Sequence, residues 1–286
     1  MQQETRNTKK TDRSGWRKVF LTGLVLYVLS LAIMIFTGNP NLFPTVVLIG
    51  NFLVPVTYVA FFYERRDINQ LSLPTTAYTF LYGGLLGVLA AALLEPIFVR
   101  PMDPSSVLMI GIIEEGAKIL GVMVIARRMQ DVPEMDGLIL GAAAGMGFAA
   151  LESVGYTFTV FLLSRGSLTA TVYITLLRGI LSPVGHGTWT AILASVLFRE
   201  RRDNHFRING KVIGAFIGVA LLHALWDGLP PIVAFFSPGV DVAIAQAIIG
   251  AVGLFILWRR YREANRRRVA ENVNEAEVES ASRVRV

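Results

Sequence analysis

The sequence contains no cysteine among its 286 residues. Disulfide bridges and thiolate metal sites are therefore excluded, and a metal ion could be bound only by His, Asp or Glu side chains. Histidine is scarce as well, with three in the whole chain, and none of them forms a His-Glu-x-x-His motif. Any chemistry that uses imidazole must therefore come from very few positions.

Charged residues are also few. They make up 17% of the chain, against about a quarter in a typical soluble domain. Hydrophobic residues make up 53%, and the mean hydropathy is +0.53. This composition predicts an integral membrane protein. The net charge of +6 does not indicate a nucleic-acid partner, because the Lys and Arg residues lie just outside the apolar segments, as they do in membrane proteins.

Eight apolar segments are long enough to cross a bilayer as helices. The predicted fold is therefore all-α, a polytopic membrane bundle of about eight transmembrane helices. The predicted spans cover residues 19–36, 44–63, 78–99, 107–126, 138–161, 172–197, 212–229 and 240–258. With the N-terminus inside, only Arg100 and Arg165 fall between spans on the outer side, so both termini are predicted to be cytoplasmic.

The chain ends differ from this core in composition. Residues 1–18 are polar and basic and are predicted to be disordered, as is the mixed polar tail at 262–286. Residues 19–261 form the predicted transmembrane domain, and its functional core lies within 107–229. The glycine-rich faces of the third and fifth spans suit close helix contact and are candidate routes for a membrane partner.

The fourth predicted span carries two adjacent carboxylates and a lysine, Glu114, Glu115 and Lys118. A charged side chain at the centre of a membrane helix costs roughly 2.5–3.5 kcal/mol on insertion scales, so such residues usually face a protein interior or a water-filled site. Glu114 and Lys118 are four residues apart and can pair on one helix face, whereas Glu115 is expected to point elsewhere. We therefore interpret this segment as a functional site.

Five polar residues from four predicted spans lie at similar depths, about 17–23 Å from the cytoplasmic ends of their helices at a rise of about 1.5 Å per residue. They are Glu114, Glu152, His186, His223 and Asp227. We expect them to meet in one layer, where Arg178 is a possible buried partner for Glu152. Carboxylates and imidazoles around a confined water molecule can hydrolyse an amide. Glu95, at the outer end of the third span, is interpreted instead as an interfacial residue.

Four segments in this region occur in a set order: residues 114–118, residues 145–153 with Tyr156, Arg178 with Pro183 and His186, and residues 223–227. Together they resemble the PrsW family of bacterial intramembrane proteases, which belongs with the CAAX prenyl endopeptidase-like membrane proteins. The resemblance implies a multi-pass endopeptidase of the bacterial cytoplasmic membrane. Its expected substrate is a single-span or membrane-anchored protein, since the best-known members act on anti-sigma factors.

The resemblance also implies roles for individual residues. The family's essential positions correspond to Glu114, Glu115 and His186 in this chain. The supporting positions are Glu152, His223, Asp227, Lys118 and Arg178.

Two mechanisms fit these residues. In the first, Glu114 or Glu115 activates water, while His186, alone or with His223, stabilises the oxyanion or protonates the leaving amine. In the second, a metal such as Zn is bound by ligands drawn from His186, His223 and Glu152, and another glutamate is the base. The sequence does not choose between them.

Two other classes of function use the same features. A proton-coupled transporter or channel could use the carboxylates and histidines as a relay, although the sequence shows no inverted repeat. A non-catalytic scaffold could bind a partner's transmembrane helix through the glycine-rich faces.

Overall fold

The computed structural model describes residues 14–65, 71–100, 104–130, 132–181, 183–236 and 240–284. These residues are almost entirely helical and contain no strand, apart from an isolated bridge between Arg202 and His205. The predicted all-α membrane bundle is confirmed.

Ten α-helices are described, and they are numbered in chain order. They are α1 Gly15–Thr37, α2 Phe43–Tyr63, α3 Leu73–Tyr78, α4 Gly84–Phe98, α5 Pro104–Ala126, α6 Glu134–Leu163, α7 Leu168–Leu181, α8 His186–Arg199, α9 Gly210–Phe236 and α10 Val240–Val284. A short 3-10 turn, Pro40–Leu42, precedes α2. A π-helical turn, Thr79–Gly83, joins α3 to α4.

Seven segments in the described part of the chain are long and apolar enough to cross a membrane. They are Gly15–Thr37, Pro40–Tyr63, Leu73–Phe98, Glu134–Leu163, Leu168–Arg199, Gly210–Ala234 and Ala243–Ala270. The fourth predicted span, which is not among these seven, corresponds to α5, which has 23 residues but carries Glu114, Glu115 and Lys118. The cytoplasmic location of the termini stays a prediction.

The sixth predicted span is not one continuous helix. Helix α7 ends at Leu181, residues 183–185 form a turn, and α8 begins at His186. Pro183 accounts for the turn, because proline has no backbone N–H with which to continue a helix. Gly185 then takes the non-helical angles φ −92° and ψ −109°. His186 therefore becomes the first residue of a helix that begins within the bundle.

The last helix extends beyond its predicted end. Composition predicts a disordered tail from residue 262, but α10 continues to Val284. No glycine or proline follows Gly253, and the tail is rich in Ala, Glu and Arg, which favour helix. At the other end, residues 1–13 of the predicted disordered segment lie outside the described residues, while Gly15 begins α1.

Helix α6 is the centre of the bundle, buried along most of its length. A Cβ added at Gly141 or Gly145 would collide with backbone carbonyl oxygens of Thr190 or His186 on α8. On another side, Gly84 of α4 lies directly against the backbone of α6. At these positions the small-residue faces contact neighbouring helices of the same chain. Their use as a route for a membrane partner stays a prediction. The close α6–α8 contact fixes the position of His186.

Candidate active site

The ammonium of Lys118 lies at the centre of a cluster of carboxylates and imidazoles. Its Nζ is 2.9 Å from Glu114 Oε2, 2.9 Å from Glu115 Oε1 and 2.9 Å from His186 Nδ1. The ring of Phe148 covers another side of the ammonium, with its centroid 3.9 Å from Nζ. Lys118 and Glu115 are fully buried, and Glu114 is 4% exposed. Direct hydrogen bonds thus compensate three charges that are removed from solvent.

The predicted pairing of Glu114 with Lys118 is present. The expectation that Glu115 points elsewhere is wrong, because Glu115 also binds Lys118. Residues three and four positions before a helical lysine both lie near its side chain, so one ammonium can bind both carboxylates.

His223 lies between carboxylates of two helices. Its Nδ1 is 3.3 Å from Glu115 Oε1, and its Nε2 is 3.2 Å from Asp227 Oδ2 and 3.6 Å from Glu114 Oε2. Asp227 is one turn further along α9, so its contact follows from the helix period. The imidazole is therefore held in a defined orientation from both sides.

His186 links the α5 carboxylates to α6. Its Nδ1 accepts a hydrogen bond from Lys118 and lies 3.7 Å from Glu114 Oε2. Its Nε2 is 3.3 Å from Glu152 Oε2. Glu152 in turn pairs with Arg178 of α7, whose Nε donates to Ser153 Oγ at 2.8 Å. The five residues that the sequence places at one depth are thus neighbours in space.

A cavity of about 770 Å³ opens beside these residues. Six of the predicted site residues contribute to its lining: Glu114, Glu152, Arg178, His186, His223 and Asp227. Glu115 and Lys118 are buried behind that surface. The six lining residues can therefore contact a substrate, whereas Glu115 and Lys118 hold lining residues in position from behind.

Glu95 also lines this cavity, although its sequence position suggested an interfacial role. Its position in the sequence places Glu95 near the end of α4 but does not show which face of that helix points toward the cavity. The packing of α4 against α5 and α6 decides that question.

Three aromatic or hydroxyl side chains of the site were missed from the sequence. Thr190 Oγ1 donates to Glu115 Oε2 at 2.9 Å. The Trp189 ring lies 4.7 Å from that of His223, and Phe148 covers Lys118. A sequence signal existed for two of them, because Trp189 and Thr190 follow His186 by three and four residues and so share its helix face.

Glu114, His186 and His223 could hold a metal ion, since one ligand atom of each lies within 4.8 Å of the others. Two imidazoles and a carboxylate form a known catalytic zinc ligand set, so these donors fit the metal in type. The group differs from the predicted candidates, which included Glu152 in place of Glu114. Glu152 lies at the opposite ring nitrogen of His186 and is paired with Arg178.

Residues 72–258 match the protein-family model described as PrsW family intramembrane metalloprotease. The match covers well over half of the chain and includes every residue of the site. Comparisons with curated proteins and with solved structures give no match.

Proposed function

The chain belongs to the PrsW family of intramembrane metalloproteases, and from that membership we propose that it hydrolyses a peptide bond within or next to the membrane. The observation that carries the proposal is the buried carboxylate and imidazole cluster facing a cavity inside a bundle of apolar helices. The proposed substrate is a single-span or membrane-anchored protein of the bacterial cytoplasmic membrane. Regulated cleavage of an anti-sigma-factor-like protein is the form that the family resemblance implies.

Glu114 is the proposed base that activates water. It lines the cavity, and its Oε2 lies within 3.7 Å of a nitrogen of both imidazoles. Glu115 is less suited, because Lys118 and His223 lie at its Oε1 and Thr190 donates to its Oε2. We therefore assign Glu115 to positioning: it holds Lys118, His223 and Thr190, and through them Glu114 and His186.

The two histidines are the proposed groups at the scissile carbonyl and leaving amine. Both line the cavity next to Glu114. In each ring the nitrogen that does not face Glu114 lies beside another carboxylate, Glu152 for His186 and Glu115 for His223. A carboxylate in that position fixes the ring and stabilises its protonated form. A proton taken from water by Glu114 can thus pass to the leaving amine through a neighbouring imidazole.

A metal, where bound, would be held by Glu114, His186 and His223 and would polarise the scissile carbonyl or acidify a bound water. Glu152 then remains in the cavity as a carboxylate that is not a ligand. Metal content of the purified protein, measured beside activity with and without a chelator, separates the two mechanisms.

The same cluster is less suited to the alternative functions. Binding a partner helix does not require a cavity lined by Glu114 and two imidazoles. A proton relay could use these groups, but the family that the chain matches consists of proteases. The family match therefore favours hydrolysis over transport or binding alone.

The test compares membrane proteomes of cells that express the wild type or the Glu114→Gln variant. We expect a membrane protein to accumulate as an uncut precursor in the variant and its fragments to appear with the wild type. The matched control is Arg207→Gln, in an exposed loop, which should leave processing unchanged. Identical proteomes in all three strains contradict proteolysis.

A further inference from the structure

We propose that the ammonium of Lys118 competes with a divalent metal ion for two ligand atoms of this site, Glu114 Oε2 and His186 Nδ1. Metal binding then requires the lysine side chain to leave the cluster. The inference rests on the proposed function only in placing this competition at an active site, and its test does not need a substrate.

Lys118 contacts atoms that a metal ion would need as ligands. Its Nζ lies 2.9 Å from Glu114 Oε2 and 2.9 Å from His186 Nδ1, which belong to two of the three residues that could hold a metal. His186 Nδ1 is also the ring nitrogen that faces Glu114 Oε2. An imidazole nitrogen has a single lone pair, so it accepts the lysine proton or binds the metal, and cannot do both.

The surroundings of Lys118 make its displacement unfavourable. An ammonium has three N–H donors, and here Glu114, Glu115 and His186 receive them. The side chain is fully buried, its Nζ lies over the ring of Phe148, and a Cβ at Gly87 would touch its Cγ at 3.4 Å. Displacement would leave a charged group without its carboxylates among apolar neighbours, which is unfavourable.

Lys118 thereby regulates metal occupancy of the site. With Lys118 in place, Glu114 and His186 are organised without an ion. Without it, the two imidazoles and one carboxylate become free to bind a metal in the way that the catalytic zinc ligand set does. The wild type is therefore expected to bind zinc weakly, and removal of the ammonium is expected to strengthen binding.

The experiment measures zinc stoichiometry and affinity of the purified full-length protein, by elemental analysis and zinc-buffered titration. It compares the wild type with Lys118→Met, which keeps the side-chain length and removes the charge, and with Lys118→Arg, which keeps a cation. We expect Lys118→Met to bind one zinc per chain at least about tenfold more tightly than the wild type, the size of effect that groups adjacent to ligands have on metal affinity. Lys118→Arg should show no gain, and adding His223→Gln to Lys118→Met should abolish the gain.

A wild type that binds one zinc as tightly as Lys118→Met overturns the proposal. Should Lys118→Met fail to fold, a structure of the zinc-soaked wild type decides: bound zinc must be accompanied by Lys118 Nζ displaced from Glu114 and His186. Zinc bound with all three contacts intact refutes the competition. Loss of proteolysis has no bearing on these readouts, so failure of the proposed function and failure of this inference are distinguishable.

Discussion

Two clusters of buried charge join distant helices in this molecule, and they differ in what surrounds them. The active-site cluster consists of Glu114, Glu115, Lys118, His186 and His223. The second, which we call the helix-end cluster, consists of Glu134 at the start of α6 with Arg260, Glu263 and Arg267 of α10.

Both clusters pair a buried carboxylate with a cation, since Glu134 is 8% and Glu114 is 4% exposed. The helix-end cluster contains only carboxylates and guanidinium groups, and none of its members lines the large cavity. The active-site cluster adds two imidazoles and opens to that cavity. Burial of charge alone therefore does not identify a site, whereas burial with imidazoles beside a cavity does.

The two clusters should differ most in how replacement of a buried glutamate affects the rate of substrate cleavage. Glu114→Gln should slow substrate cleavage by about 10²–10⁴-fold, because the amide cannot take a proton from water. The measurement is the rate of precursor disappearance in isolated membranes.

The control for that experiment is Glu134→Gln, the equivalent change in the helix-end cluster. Its cleavage rate should equal that of the wild type at a temperature where both are folded. Equal losses in the two variants would mean that the clusters do not differ in function.

The helix-end cluster should contribute to stability. Glu134→Gln removes the carboxylate that pairs with Arg260 and costs about 1–3 kcal/mol, less than a fully buried ion pair because Glu263 still binds Arg260. Thermal unfolding in detergent, followed by circular dichroism, gives the shift. An unchanged unfolding temperature would remove the structural role assigned to this cluster.

Two hydroxyls on α8 give a finer comparison, since Thr190 donates to Glu115 and Ser195 accepts from Arg260. Thr190→Val should lower kcat by about tenfold, the effect of losing a hydrogen bond of about 1–1.5 kcal/mol, and leave KM unchanged. Thr190→Ser should restore the rate.

Ser195→Ala is the control on the same helix and should leave kcat unaltered. A change in KM with constant kcat for Thr190→Val would place Thr190 in substrate binding instead of in positioning Glu115.

The smallest effect is expected outside the spans, at Glu200 directly after α8. Hydrogen bonds from Asn209, and further from Lys211 and Arg199, lower the pKa of this carboxyl to about 2. A lowered pKa means that the charged form stabilises the fold above the unfolded pKa of about 4.3, and this contribution is lost as pH falls toward 2.

Glu200→Gln should therefore lower the unfolding temperature at pH 7 and have almost no effect near pH 2. The loss at pH 7 should not exceed about 0.5 kcal/mol, because the group is near solvent. A larger loss at low pH than at neutral pH would contradict this assignment.

Much of this arrangement follows from the sequence because depth along a helix can be counted. The spans, the shared layer of Glu114, Glu152, His186, His223 and Asp227, and the pairing of Glu114 with Lys118 all come from residue spacing. Rotation of each helix and the identity of its neighbours depend on packing, which spacing does not encode. For that reason the hydrogen bond from Thr190 to Glu115 and the position of Glu95 in the cavity appear only in the structure. The contact of Lys118 with Glu115 agrees with their spacing of three residues, although the prediction pairs Lys118 with Glu114 alone.

The helix break before His186 could be predicted only in part from the sequence. Pro183 and Gly185 are visible signals, but a proline does not always end a membrane helix, as Pro55 inside α2 shows. The broken geometry requires the neighbouring α6, whose Gly145 admits the backbone of His186 at close range.

The most direct test of the account uses Glu114→Gln to capture a substrate. A membrane protein that co-purifies with this variant is placed in liposomes with either the wild type or the variant, and the products are sequenced by mass spectrometry. The account predicts cleavage at a defined bond within or beside the membrane segment with the wild type and none with Glu114→Gln. Equal cleavage by both proteins would show that the buried acid and imidazole layer is not where hydrolysis takes place.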